Sequence, residues 1–462
     1  MFPSPQSALP LPPRPNLERY KKIAKDLVKA CRSADEADDG GHFVAWASDW
    51  VDGLMRLSGL SLEAHLPVRV DGWIEGVAAF GRRQMRGEAG KERECALADA
   101  QFVIARSHGF ESWPKFVRHL ESVMLADSSW WRFESAADAI VAGDLNTLKQ
   151  LLDEDPALVR MRSAREHEAT LLHYVSANGV EGYRQTTPGN VVEIAAALLR
   201  AGAEVDAIAN VYGGGATALG LTATSGHPER AGVQEELMRL LLDHGARLDA
   251  SMVRGCLHNG RGKAAVFLAD LLTDSLANTG AGLGLAEAAG VGRLDLVQSW
   301  FADGDPHTDM TGREASEGFL MACQFGRDSV VEFLLGRGVD PAVGDGQGQT
   351  GLHHAVIGGH IETVKLLLRS GTPMEVVNSF GGTALGQALW SAAHGGDADV
   401  YIEILKALTA AGATLPEVHV AVNPRIDAWL EARGSAVDPR WYWYGEKPRR
   451  AKVGRTRDDK KW

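Results

Sequence analysis

The stretch GCLHNGRGKA at 255–264 places glycines and a lysine near the spacing of a phosphate-cradling loop, whose backbone N–H groups and lysine would hold a nucleotide. The match fails, because Arg261 follows Gly260 and Lys263 is followed by Ala264 where a hydroxyl should meet magnesium. The series Gly280, Gly282, Gly284 and Gly344, Gly346, Gly348 lack both the spacing of a dinucleotide fingerprint and the buried strand that must precede it. His353, His354 and His360 invite a metal hypothesis, since neutral imidazoles are common ligands. His108 and His119 have no nucleophile or acid spaced around them, which disfavours acid–base work there. Cys31, Cys95, Cys256 and Cys323 lie far apart with no paired spacing. The expectation is therefore neither a disulfide framework nor a zinc knuckle, and a reducing, cytoplasmic setting. No catalytic set, cofactor site or metal site assembles from these residues, so the chain reads as a non-enzyme.

The elements that would position any such residues are short helices. In GQTGLHHAVIGGHIETVKLLLRSG, residues 348–371, Leu352, Ala355, Val356 and Gly359 fall at helical spacing, and Ile361, Val364, Leu367 and Leu368 form a second such row. Gly358 and Gly359 allow a tight turn between them, Thr350 can cap the first helix, and Gly371 can close the second in a left-handed conformation. Each helix is too short to persist alone. The unit recurs one period earlier, with Gly318, Gly326 and Gly338 standing 33 residues before Gly351, Gly359 and Gly371. The closing mark, two leucines and then glycine three residues on, appears as LLRAG, LLDHG, LLGRG and LLRSG, ending at Gly202, Gly245, Gly338 and Gly371. An aromatic version, WFADG, ends at Gly304. Repetition at matched positions argues for stacked helical hairpins.

This pattern resembles ankyrin repeats, through Thr350, Leu352, His353, Gly359, His360, Leu367, Leu368 and Gly371. The starts TLLH at 170–173 and TALG at 217–220 and 383–386 are weaker versions, without proline at the second position. The resemblance implies that His353 and His360 serve hydrogen bonds between loops rather than a metal, and that Gly344, Gly346 and Gly348 occupy a hairpin. His354 replaces a usually apolar residue and has no explanation at this level. Repeats are expected at about 135–163, 168–206, 213–250, 251–280, 282–310, 315–343, 345–377 and 378–416. Three are lengthened between their helices, by VEGYRQTTPGN after Gly179, ERAGVQ after Pro228 and AAHGGDAD after Ser391. In register, all three emerge on one edge, either as a binding face or as surface loops that tolerate length change.

Upstream, Leu17, Tyr20, Ile23, Leu27 and Cys31 mark one face of a helix whose other side carries Lys21, Lys22, Lys25 and Lys29, which reads as a solvated face on a small bundle. Further helices are expected around 43–58, 71–86 and 92–107, and then from SWPKFVRHLESVM, with Ser112 as N-cap and Pro114 in the first turn. Residues 96–121 resemble a segment that precedes ankyrin arrays in bacterial proteins. The expected domains are a proline-rich disordered stretch 1–15, a helical domain 16–127, an ankyrin array 133–433 and an aromatic, basic tail 434–462. The fold class is all-α, an ankyrin solenoid of about eight hairpins preceded by a small bundle.

The chain has 462 residues, is 45% apolar and 23% charged, and carries a formal charge of −12, which excludes a mainly disordered or collagen-like molecule. MFPSPQSALPLPPRP lacks a continuous apolar stretch, and no run is long enough to cross a bilayer, so no membrane is expected. Residues 446–462 hold eight Lys and Arg against three Asp and Glu, a local +5 beside Trp441, Tyr442, Trp443 and Tyr444. Those aromatics are expected to cap the last repeat. Overall acidity disfavours nucleic-acid binding except through this tail. The leading expectation is an interaction scaffold for an unknown protein partner, contacting it through Gln324, Phe325, Gln347, Gln349, Ile357, Phe380 and Trp390. The competing readings are an enzyme or small-ligand binder with a site between the helical domain and the array, and nucleic-acid binding through the tail.

Overall fold

The computed structural model describes residues 2–12, 14–33, 40–58, 66–87, 94–125, 128–276, 282–301 and 312–442. The chain divides into two compact units, Met1–Gly255 and Cys256–Trp462. The first opens with a bundle of α1 (Leu17–Ser33), α2 (Gly41–Ser58), α3 (Leu66–Arg86), α4 (Leu97–Ser107) and α5 (Trp113–Val123). Of the face expected on α1, Tyr20, Leu27 and Cys31 are buried, joined by Ala24 and Val28, while Leu17 and Ile23 are half-buried; it packs against Phe43, Trp46 and Trp50 of α2 and Val103 and Ile104 of α4. Ser112 stands at the N-cap of α5, but its side chain makes no capping hydrogen bond.

Two expectations fail in this bundle. Cys31 and Cys95 are joined by a disulfide, with Cα atoms 6.1 Å apart although 64 residues separate them in the chain. No sequence spacing signals that pair, because the end of α1 meets the approach to α4 only through tertiary packing. The opening stretch 1–15 is also not disordered over the residues described. Pro5–Ser7 make a turn of 3-10 helix, Leu9 is fully buried, and its amide donates to the Ser107 carbonyl at 2.8 Å. Its proline content limits the entropy lost on ordering, and the bundle supplies an apolar slot.

Helical hairpins follow. In the first unit the inner helices α6 (Ser129–Ala142), α8 (Leu171–Tyr174) and α10 (Ala218–Thr224) pack in succession. The outer helices α7 (Leu145–Glu154), α9 (Val191–Arg200) and α12 (Gln234–Asp243) do the same, with the short α11 (Gly226–Arg230) between α10 and α12. Helix α13 (Ala250–His258) spans the division between the units. In the second unit α14 (Gly262–Leu276) leads to an inner row, α15 (Leu285–Val291), α17 (Gly312–Gln324), α19 (Gly351–Ile357) and α21 (Ala384–Ala393). Its outer row is α16 (Leu294–Ser299), α18 (Asp328–Gly336), α20 (Ile361–Arg369) and α22 (Ala398–Ala410). The fold class is all-α, with two small strand pairs as its β content among the described residues.

Local chemistry accounts for this alternation. Gly202, Gly245, Gly338 and Gly371, which end the Leu-Leu-x-x-Gly marks, have φ of 95, 89, 85 and 76°, the left-handed region that glycine enters without strain. At Gly326, with φ of 66°, a Cβ would stand 2.7 Å from the His360 ring, so neither the angle nor the space admits a side chain. After α22 comes α23 (Pro424–Glu431), and Val418–Ala421 pairs in parallel with Ala436–Tyr442. The second of these strands lies just beyond the expected tail boundary at 434, so the start of that tail pairs back onto the chain before it. Trp443, Tyr444, the basic residues 446–462, Gly280 and Gly304 lie outside the described residues.

Candidate functional site

The residues expected to meet a partner fall on two rows of the second unit, each stepping by the 33-residue period. Gln324, Ile357 and Trp390 occupy the same place near the ends of α17, α19 and α21, while Gln347 and Phe380 lie in successive hairpin tips. The tips are aligned by a relay through neutral histidine. Nδ1 of His353 accepts from the Thr350 N–H at 3.2 Å and lies 2.9 Å from the Thr350 hydroxyl. Nε2 then carries the proton and donates to the Gly382 carbonyl of the next tip at 3.2 Å. Thr170 and His173 repeat the device, with His173 Nε2 3.3 Å from the Ala216 carbonyl. Where the fourth residue is glycine, in TALG, the threonine hydroxyl caps directly, Thr383 Oγ1 accepting from the Gly386 N–H at 3.3 Å. Burial lowers the pKa of His353, His354 and His360, which keeps the imidazoles neutral for these roles.

His354 has an explanation in the fold. Its Nε2 lies 3.2 Å from Asp345 Oδ2, while Asp345 Oδ1 accepts the amides of Gln347 at 2.8 Å and Gln349 at 2.9 Å. The histidine thereby orients the carboxylate that shapes the tip carrying Gln347 and Gln349. His360 reaches back one repeat, its Nε2 2.9 Å from the Gln324 carbonyl. Among the described residues no cluster of His, Cys, Asp or Glu is arranged to hold a metal ion.

The expected contact residues are not equivalent. Phe380 and Trp390 present large apolar surfaces to solvent, 74% and 54% exposed. Trp390 is stiffened by stacking on His394, the centroids 4.0 Å apart. Gln347 is exposed, and its Oε1 accepts from the Ser379 hydroxyl at 2.7 Å, tying its tip to the one bearing Phe380. Gln324, Gln349 and Ile357 are half-buried. Phe325 lies against α14, where a Cβ on Gly262 would stand 2.8 Å from its ring. It is half-buried like Gln324, with part of its ring against a glycine distant in sequence. Val377, 59% exposed at the tip beside Phe380, belongs with these residues by geometry; its one linear signal was an apolar residue in a tip.

The insertion after Gly179 does not emerge as a binding edge. Val180, Glu181, Gly182 and Arg184 are buried, and they build a cluster of charges inside the first unit. Arg165 Nη1 lies 2.7 Å from both Glu134 Oε1 and Glu181 Oε1, and Arg184 Nη1 lies 2.8 Å from Glu134 Oε2 and 3.4 Å from Glu181 Oε1. Burial alone would raise the Glu181 pKa, but Arg165 and Arg184 hold it well below the usual carboxylate range. Titratable groups therefore do converge beside the bundle, as an enzyme or ligand site there requires. They are paired with one another, and the crevice alongside, lined by Pro3, Pro5, Ala8, Arg106 and His167, leaves no space for a water molecule. Sequence reasoning missed this cluster because Glu134 and Arg165 belong to other segments. The insertion after Pro228 keeps Arg230, Ala231 and Gly232 exposed and is anchored by its last residue, the buried Gln234, whose amide donates to the carbonyls of Thr222, Ala223 and Ser225 at 2.9 to 3.1 Å.

Burial pushes the Cys256 thiol up to about 12, and Cys323 higher still, which removes the thiolate that nucleophilic chemistry would need at either. No helix among the described residues is long and apolar enough to cross a membrane. A family profile described as ankyrin repeats (3 copies) matches residues 319–416, the segment that carries both rows apart from its flanks. No curated protein matches the chain.

Proposed function

We propose, from the premise that this chain is an ankyrin-repeat protein, that it is a non-catalytic scaffold whose repeats at 319–416 hold a protein partner along the inner-helix row and the hairpin tips. Ankyrin repeats generally mediate protein–protein interaction. The observation that carries the reading here is the solvent exposure of Phe380 and Trp390 on rows that the 33-residue period keeps aligned. Aromatic side chains held rigid and exposed are what interaction hot spots use, with amides such as Gln347 supplying polar contacts around them. Phe325 keeps a place at the edge of the contact set, half-buried with part of its ring against Gly262. The Cys31–Cys95 bond favours a setting in which thiols oxidise, and in a cytoplasmic location it would be reversible.

The test is capture of a partner from lysate by the full chain and by a Phe380→Ala, Trp390→Ala double variant. Each truncation at a hot spot costs about 2 kcal/mol or more, so the pair should lose at least about a hundredfold in affinity with unchanged helical circular dichroism. Capture that survives both substitutions would place the binding face elsewhere.

A further inference from the structure

We propose that the channel crossing α3, the end of α4 and the insertion after Gly179 is a peptide-binding site, and that residues 2–9 are its resident ligand, a strap that a partner segment of the same kind displaces. That kind is an extended stretch of proline and small polar residues leading to a leucine, as in Pro5-Gln6-Ser7-Ala8-Leu9. Three glycines on three separate elements make room for it. A Cβ on Gly76 of α3 would stand 2.9 Å from the Phe2 ring, and one on Gly109, just after α4, 3.4 Å from the Ala8 Cβ. A Cβ on Gly182, in the insertion, would overlap the Gln6 carbonyl oxygen, a backbone atom that cannot swing aside.

The segment is held as docked peptides are, through its main chain and one deeply buried side chain. The Leu9 N–H donates to the Ser107 carbonyl at 2.8 Å, and the buried, neutral His108 donates its Nδ1–H to the Leu9 carbonyl at 3.0 Å. The Leu9 side chain is fully buried. At the other end Arg83 Nη2 donates to the Phe2 carbonyl at 3.3 Å, and the Phe2 ring meets Phe80 edge-on with centroids 5.8 Å apart. Between them the Gln6 amide donates to the Tyr212 hydroxyl, which in turn donates to Asn178 Oδ1 at 2.6 Å. Bonds to main-chain groups do not depend on side-chain identity, so the channel selects an extended backbone, small residues beside the glycines and a leucine anchor. The strap is also imperfectly seated. Arg165 lines the crevice beneath Pro3, Pro5 and Ala8, and its Nε is buried without a hydrogen-bond partner. A buried unpaired donor costs free energy that hydration returns when the strap lifts, which favours exchange for another segment.

Isothermal titration of the full chain with a synthetic peptide spanning residues 3–11 tests this. In Leu9→Asp the strap is released and the channel left intact, whereas in the parent the strap competes at an effective concentration of about a millimolar. The peptide should therefore bind Leu9→Asp at least about tenfold more tightly than the parent. Adding Gly182→Ala to Leu9→Asp blocks the place of the Gln6 carbonyl and should weaken that binding by about tenfold or more. Hydrogen exchange of the unmodified chain needs no variant. Residues 2–12 should exchange at least about tenfold faster than 97–107, because the strap opens while α4 stays folded. Equal affinity for parent and Leu9→Asp, no heat with millimolar peptide, binding indifferent to Gly182→Ala, or strap and helix exchanging together would each overturn the assignment. Phe380 and Trp390 lie outside the channel, so Phe380→Ala and Trp390→Ala should leave peptide binding unchanged, and this proposal and the scaffold role fail separately.

Discussion

Glu181 is the most informative single position for the first unit. Its carboxylate is 0% exposed, 2.7 Å from Arg165 Nη1 and 3.4 Å from Arg184 Nη1. At an effective dielectric of about 20 those contacts are worth roughly 6 and 5 kcal/mol of direct attraction, before repulsion from Glu134 and the cost of desolvation are subtracted. Glu181→Gln keeps the shape and removes the charge, leaving Arg165 with Glu134 and Arg184 with Glu134 and Asp138. Breaking a buried pair in this way costs about 3–5 kcal/mol, a large part of the total for a domain of ordinary stability. Urea unfolding followed by circular dichroism gives the size of the loss, and hydrogen exchange localises it to residues 129–200. A companion variant, Glu181→Leu with Arg165→Met, removes both charges and should lose much less than the sum of the single changes. If Glu181→Gln stays within about 1 kcal/mol of the parent, the cluster is not the lock described here, and the insertion folds inward for another reason.

Acid should loosen the same unit. Burial holds His108 near about 3 and His119 and His173 near about 4. The unfolded chain, with histidines near 6.5, therefore binds more protons as pH falls, so stability is full above about 6.5 and is lost as pH drops through 4 and 3. At pH 5 the loss is about 2 kcal/mol per histidine, readable as a fall in melting temperature between pH 7 and 5 that a flat profile would contradict. Reduction acts on the bundle instead. Opening a 64-residue loop by reducing Cys31–Cys95 releases about 4 kcal/mol of chain entropy to the unfolded state. Melting with and without dithiothreitol should show that loss in the parent and none in Cys31→Ser, and equal sensitivity in both would refute it.

The repeat architecture was legible in the chain itself because its signals are local. Helical spacing, a left-handed glycine at each closure and the Thr-x-x-His relay operate within a few residues, and stacking then repeats them at fixed intervals. For the same reason, the period alone placed Gln347, Phe380 and Trp390 on aligned rows. Phe325 shares that periodic logic, yet a glycine 63 positions earlier takes up part of its ring, so that it is only half-exposed to a partner. Tertiary structure alone decided that Cys31 meets Cys95 and that Glu134 and Arg165 draw an inserted loop into the interior. Each of these depends on groups distant in sequence, whose mutual attraction or fit acts only once the helices have brought them within a few ångströms.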